Sequence, residues 1–223
     1  GCPRRVAVKQ SAAVTQGVLP LNIVCLDLEG VLVPEIWIEF ANATGIDALR
    51  KTTREVADYD ELMQFRLGVL AERDLRLDGI ERVISGLSPL AGAARFLRGL
   101  REQYQVIILS DTFYEFARPL MAQLGWPTLF CHHLEVDGEG RITGYALRQD
   151  QPKNSSVAAL QSLNFRVIAA GDSYNDTAML AQADHGFLFR SPANVIAEFP
   201  QYPHTDDYAE LRRLIDSVAA EGD

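Results

Sequence analysis

Leu21-Asn22-Ile23-Val24-Cys25-Leu26-Asp27-Leu28 runs into Glu29-Gly30-Val31. The first eight residues are an almost unbroken apolar run, the pattern of a strand buried on both faces, and Gly30 turns the chain after it. Similar runs recur at Val106–Leu109 and Val167–Ala170, with a weaker one at Gly186–Phe189. Helical periodicity fills the gaps: Ala91–Tyr104, Glu115–Leu124 (stopped by Gly125 and Pro127), Ser155–Leu163 (capped by Asn154 or Ser155) and Asn175–Gln182. Alternating strand and helix predict an α/β core with a mainly parallel sheet. The first three strands lead into Asp27, Ser110 and Asp172. Ligands of open parallel sheets bind beyond the carboxyl ends of the strands, so three strands point at one place.

Glu35–Ser88 breaks the alternation. It holds no convincing strand, and Ile36, Phe40, Ile46, Leu49, Leu62, Phe65, Leu67, Val69 and Leu70 read as amphipathic helices. The expected organisation is a core of 21–34 and 89–223 with a small helical cap, 35–88, inserted after the first strand. Phe130–Leu147 reads as a β-hairpin turning at Asp137-Gly138-Glu139-Gly140, whose length does not match a calcium loop. Tyr208–Val218 reads as an amphipathic helix.

Of the 223 residues, 48% are hydrophobic and 23% charged, values ordinary for a globular enzyme. The net charge of −9 argues against nucleic acid and anionic membrane as partners. No apolar stretch approaches the ~20 residues of a membrane span. Cys2, Cys25 and Cys131 are far apart and odd in number, which predicts reduced thiols in a cytoplasmic protein. Residues 1–20 carry Arg4, Arg5 and Lys9 but no continuous apolar stretch. They read as an N-terminal extension, disordered or left from a tag or upstream start, not as a signal peptide.

Four segments carry the chemistry: Asp27-Leu28-Glu29-Gly30-Val31, Ser110-Asp111, Lys153, and Gly171-Asp172-Ser173-Tyr174-Asn175-Asp176. Together they provide carboxylates, a hydroxyl and an ammonium, the set needed for Mg²⁺-dependent phosphoryl transfer through an aspartyl-phosphate. Taken singly they are weaker: Asp27 and Ser110 could be caps, and Lys153 a surface residue. His132-His133 points its two rings to opposite faces of a strand and lacks a third ligand nearby, so it is read as non-metal. Trp37, Phe40 and Tyr59 are read as packing of the cap.

Leu26–Glu35, Ile108–Phe116 and Ala169–Thr177 resemble the haloacid dehalogenase superfamily, and within it the phosphoserine phosphatases. The likeness spans about residues 21–215 and is greatest to the branch that also transfers phosphate from phosphoserine to homoserine. It implies a core of the superfamily's Rossmann-like type with a C1-type helical cap, Mg²⁺ as cofactor, and phosphoserine as substrate with homoserine as a possible acceptor, in serine and threonine biosynthesis. A homodimer is compatible with it.

The resemblance makes Asp27 the nucleophile and Glu29 the general acid and base, with the Glu29 main-chain carbonyl on Mg²⁺ beside the carboxylates of Asp27 and Asp172. Residues i and i+2 of an extended chain point the same way, so Asp27 and Glu29 can share one site. Most of the superfamily has Asp where Glu29 stands; the longer arm is expected to suit an amino-acid hydroxyl as acceptor. Ser110 and Asn175 would meet the phosphoryl group, Lys153 would pair with Asp27 and phosphate, and Asp176 would orient Lys153 or a metal-bound water. Glu35 and Arg66, in the insert, would take the ammonium and carboxylate of a zwitterion. Asp111 and Thr112 replace glycines common in the family, and Asp111 is expected at the amino-acid end of the substrate. Two rival readings stay open, a phosphatase for another small ester and an inactive phosphoserine-binding module.

Overall fold

The apolar run around Val24 forms strand β1 (Leu21–Leu26) in a computed structural model that describes residues 20–52, 55–56 and 58–221. The N-terminal extension expected at 1–20 lies outside the described residues, except for Pro20. Alternate residues of β1 enter different cores: Val24 and Leu26 pack on one face of the sheet, Ile23 and Cys25 on the other. That is why the run has no polar alternation. Each large apolar side chain so buried contributes about 1.5–3 kcal/mol.

Parallel neighbours flank β1 on both sides, β2 (Gln105–Phe113) and β5 (Phe165–Gly171). Beyond β2 lie β3 (Thr128–Val136) and β4 (Ile142–Ala146); beyond β5 lie β6 (His185–Phe189) and β7 (His204–Thr205). Among the described strands, the β3–β4 hairpin is the one antiparallel pairing. The chain leaves β1 toward β2 and later returns on the other side as β5, so the crevice at their carboxyl ends is a topological switch point. Helices α4 (Ala93–Arg101), α5 (Tyr114–Gln123), α6 (Pro152–Ser162), α7 (Thr177–Gln182), α8 (Ala193–Glu198) and α9 (Tyr208–Ala220) follow the strands of this α/β core.

Between β1 and α4 the described residues form helices: α1 (Ile36–Thr44), a 3₁₀ turn (Asp47–Arg50), α2 (Tyr59–Glu72) and α3 (Leu77–Ser85). Asp58 caps α2 by accepting the Glu61 N–H at 2.8 Å. The hairpin grips this segment: Tyr145 on β4 bonds Asp60, and the Leu77 N–H donates to the Gly140 carbonyl at 2.8 Å. No helix of the described residues is long and apolar enough to cross a membrane.

Several boundaries differ from expectation. β2 runs on through Ser110 to Phe113, because its pairing with β3 resumes after a register shift between Leu109 and Phe113. Helix α6 starts at Pro152, not Ser155, since proline's fixed φ suits a first helical position. Lys153 therefore lies inside the helix instead of preceding it. The helix read from Asn175 begins as a 3₁₀ turn, Tyr174–Asp176, ahead of α7. β7 has only two residues and no apolar run to betray it. Cys25 and Cys131 are buried free thiols.

Candidate active site

At the end of β1 the pairing with β5 extends one residue, the Asp27 N–H donating to the Ala170 carbonyl at 3.0 Å. The chain then closes a tight loop in which the Leu32 and Val33 N–H groups donate to the Leu28 carbonyl at 2.8 and 3.0 Å. Gly30 makes the loop possible. Its φ is +79°, and a Cβ there would lie 2.4 Å from the Asp172 carboxylate. Gly171 has a parallel role, since a Cβ on it would meet Asp176 at 2.3 Å. Two glycines thus admit two carboxylates into the crevice.

Lys153 reaches into the crevice from the first turn of α6. Its Nζ donates to Asp27 Oδ1 at 2.8 Å and Asp176 Oδ1 at 2.7 Å, and stands 3.7 Å from Asp111 Oδ2. Asp176 is fully buried; its other oxygen accepts the N–H groups of Asp172 and Ser173 at 2.9 and 3.1 Å. Carboxylate oxygens of Asp27, Asp172 and Asp176 lie within 4.8 Å of one another. An all-oxygen donor set of this kind fits a hard divalent cation. Asp176 spends its oxygens on the ammonium and the backbone, which leaves Asp27 and Asp172 better placed as ligands.

Burial sets the proton affinities here. Desolvation, then Asp176, pushes Asp27 well above the usual carboxylate range, partly offset by Lys153. The same two influences carry Asp172 up to about 7. Lys153 would be lowered by burial alone, but Asp176, Asp27 and Asp111 together raise it well above its ordinary value. Asp111 is likewise opposed by burial and still lowered, chiefly by Lys153.

Glu29 lies in the same pocket, of about 580 Å³, as Asp27, Ser110, Asp111, Lys153, Asp172 and Asn175. Its Oε2 accepts the Ile36 N–H at 3.0 Å, capping α1 from outside the helix. Desolvation, with Glu35 nearby, lifts its pKa to about 8, so it holds a proton at neutral pH. Glu35 is exposed at the pocket's edge, and Asn175 is exposed at its mouth. Ser110 Oγ accepts the Thr112 N–H at 3.3 Å, which leaves the Ser110 proton for a ligand.

Arg66 comes from α2 and is only 7% exposed, so it is no surface helix charge. Its guanidinium sits 4.6 Å over the Trp37 ring and donates to the Lys51 carbonyl at 2.8 Å, while the buried Nε has no partner. Burial draws its proton affinity down, though a guanidinium stays charged.

Trp37 and Tyr59, read as cap packing, also line the pocket, and the Tyr59 hydroxyl donates to the Asp111 carbonyl at 3.2 Å. Thr112 and Tyr174 are further wall residues that the sequence did not single out as ligand contacts. His132 and His133 face apart: His132 is buried behind Asp111, 3.8 Å from its carboxylate, and exposed His133 pairs with Glu115 at 3.2 Å. The Asp137 carboxylate accepts the Glu139 and Arg141 N–H groups at 2.9 Å each, the work of a turn residue.

A family model described as haloacid dehalogenase-like hydrolase matches residues 21–184. The chain is 61% identical over 193 residues to "Phosphoserine phosphatase ThrH" of Pseudomonas aeruginosa, covering 86% of this chain and 94% of that protein. It is 58% identical over 197 residues to a phosphoserine phosphatase of Pseudomonas syringae pv. tomato, covering 88% and 83%. A solved structure described as a substrate-bound phosphoserine phosphatase complex superposes with a TM-score of 0.73 at 19% identity, covering 87% of this chain and 98% of that one; at that identity the likeness is one of fold.

Proposed function

We propose, from the premise that the chain belongs to the haloacid dehalogenase-like hydrolases, that it is a Mg²⁺-dependent phosphoserine phosphatase working through an aspartyl-phosphate on Asp27 and also able to pass the phosphoryl group to homoserine. The observation that carries this reading is the buried Lys153–Asp27 pair, 2.8 Å apart, in one pocket with the protonated Glu29 and the cap guanidinium of Arg66. A nucleophile, an acid and a carboxylate receptor thereby share one chamber.

In this mechanism Arg66 takes the carboxylate of the amino acid and Glu35 its ammonium. Ser110 and Asn175 hold the phosphoryl oxygens, and Lys153 offsets their charge. Asp27 and Asp172, with the Glu29 carbonyl, would hold Mg²⁺, which supplies the positive charge that lets a carboxylate approach a phosphate dianion. An Asp27 oxygen forms a bond to phosphorus as the phosphorus–serine oxygen bond breaks; the departing electron pair stays on that oxygen, which takes the Glu29 proton. Water or the homoserine hydroxyl then loses a proton to Glu29 and bonds phosphorus, and the Asp27 carboxylate is released. The helical insert, 35–88, is read as the cap that keeps stray water from the second step.

The test is ³¹P NMR of phosphoserine with the protein and Mg²⁺, with and without homoserine. Loss of the phosphoserine signal is expected, with inorganic phosphate alone in the first case and phosphohomoserine beside it in the second. A phosphoserine signal that persists sinks the substrate reading, and an unchanged product with homoserine sinks the transfer.

A further inference from the structure

His132 is a buried ring, 2% exposed, and its one backbone partner fixes where its proton sits. Nδ1 accepts the Arg148 N–H at 3.0 Å, so Nδ1 is bare and the ring's N–H is at Nε2. Nε2 faces Asp111 Oδ1 at 3.8 Å, and the other oxygen of that carboxylate stands 3.7 Å from Lys153 Nζ. Both separations exceed a hydrogen bond. They set the carboxylate between two donors and leave its lone pairs to a third. The Asp111 side chain is 32% exposed and lines the pocket; burial opposes its charge, yet Lys153 and His132 hold it ionised.

The backbone of Asp111 is tied down as well. It lies inside the register shift between Leu109 and Phe113, where the ladder to β3 is interrupted, and the Tyr59 hydroxyl of α2 donates to its carbonyl at 3.2 Å. His132 is the β3 partner of Phe113, two residues further on. An anion fixed beside a phosphate seat repels the ligand unless a cation of that ligand meets it. Lys153 is committed to Asp27 and Asp176, and Arg66 is assigned to the ligand's carboxylate. The ammonium is the group of an amino-acid phosphate that remains to offset Asp111.

On the phosphoserine reading given above, we propose that His132 is a positioning residue: its Nε2–H aims the Asp111 carboxylate at the substrate's ammonium, and the pair selects zwitterionic phosphate esters against purely anionic ones. An ammonium has three N–H groups, so Asp111 from the pocket wall and Glu35 from its edge can both accept from it. Against an ester without the ammonium, the same carboxylate is a repulsive element.

Two His132 variants separate aiming from mere packing. His132→Gln can set an amide N–H where the Nε2–H stands, whereas His132→Asn keeps an acceptor for the Arg148 N–H and lacks the reach to Asp111. Asp111→Asn removes the charge itself. Steady-state turnover of phosphoserine with Mg²⁺ gives KM. The same assay gives Ki for 3-phosphoglycerate, which has a hydroxyl where phosphoserine has its ammonium. Asp111→Asn should raise KM by about 10- to 100-fold with kcat within about 3-fold of the parent, and leave Ki equal or lower. His132→Asn should raise KM by about 3- to 10-fold, again without raising Ki, and His132→Gln should stay within about 2-fold of the parent. His132→Asn no worse than His132→Gln, or Ki rising in step with KM, would overturn the role. Imidazole ¹⁵N NMR of the unaltered protein should show Nε2 protonated and Nδ1 bare; a proton on Nδ1 would overturn the aim at Asp111. That spectrum and Asp111→Asn decide the matter should the His132 variants not fold. Absence of phosphoserine turnover by the unaltered protein refutes the substrate reading and the ammonium receptor with it; turnover without the expected ratios refutes the receptor alone.

Discussion

Replacing Lys153 by Met leaves a cluster of acids without its cation. The ammonium bonds Asp27 and Asp176 at 2.8 and 2.7 Å, its side chain is 7% exposed, and the Asp176 side chain is wholly buried. Breaking a buried pair while one charge stays behind costs about 3–5 kcal/mol. For a domain of this size that lowers Tm by about 6–20 °C. The sign with pH follows from Lys153 being raised above its ordinary value. Such a group gives stability that is complete below its unfolded pKa, about 10.4, so all of it is at stake at neutral pH. In the variant Asp27, already raised by burial, also loses the ammonium that held it down, and protonating it favours the folded state, so the deficit shrinks as pH falls. Thermal melts in EDTA read both effects. Mg²⁺ should raise the variant's Tm by more than the parent's, because it replaces a lost positive charge as well as binding the folded state. A variant melting within about 2 °C of the parent in EDTA at pH 8 would refute the reasoning.

Arg66→Ala should raise KM for phosphoserine by about 10- to 100-fold and leave p-nitrophenyl phosphate nearly unaffected; equal loss on both would remove Arg66 from amino-acid recognition. Gly30→Ala forces a left-handed residue against Asp172, at a backbone cost of about 1–2 kcal/mol before the clash is counted. Loss of turnover with weakened Mg²⁺ binding by calorimetry is expected, and parental values for both would contradict the tight approach. Glu29, raised from 4.5 to about 8, and Asp172, raised from 3.8 to about 7, keep protons that the unfolded chain releases. Metal-free protein should therefore lose stability as pH rises between about 4 and 8, and Glu29→Gln should flatten that slope in urea melts. The same variant should lose about 10²- to 10⁴-fold in phosphoserine turnover, and retention of parental kcat would end the acid–base role.

The core was legible because its signals are local. The run from Ile23 to Leu26 has no polar interruption because β1 is sandwiched between two packed faces, and Asp27 follows directly at the strand's end. Where the signal was not local, reading failed. Trp37 looks like any core aromatic of an amphipathic helix, and only the tertiary packing that sets it edge-on to Phe116 of α5 makes it a pocket wall. Thr112 follows a catalytic-looking serine, yet its orientation depends on a register shift between β2 and β3 that pairing, not sequence, decides. Lys153 was recognised by its order among the motifs, but the helix start at Pro152 went unread because Asn154 and Ser155 offered the more familiar cap. Nothing in the spacing of Glu29 announced that it would cap α1, since the helix it serves begins seven residues later.

That last contact bears on how an acidic pocket can receive a dianion. Asp27, Glu29, Glu35, Asp111 and Asp172 line the chamber, against Lys153 and Arg66 as its cations. Lys153 is already committed to Asp27 and Asp176. Left alone, this balance would repel phosphate. Two devices reduce it. Burial keeps Glu29 protonated, so one acid enters the reaction neutral and with a proton to give. A divalent cation between Asp27 and Asp172 would offset the charge that remains, which is the reason for reading Mg²⁺ into the mechanism. Because Glu29 also holds the first N–H of α1, the acid is anchored to the insert that carries Arg66. On the proposed mechanism, a substrate that seats Arg66 would bear on the insert to which the proton donor is tied, so recognition of the amino acid and delivery of the proton would be joined through the insert.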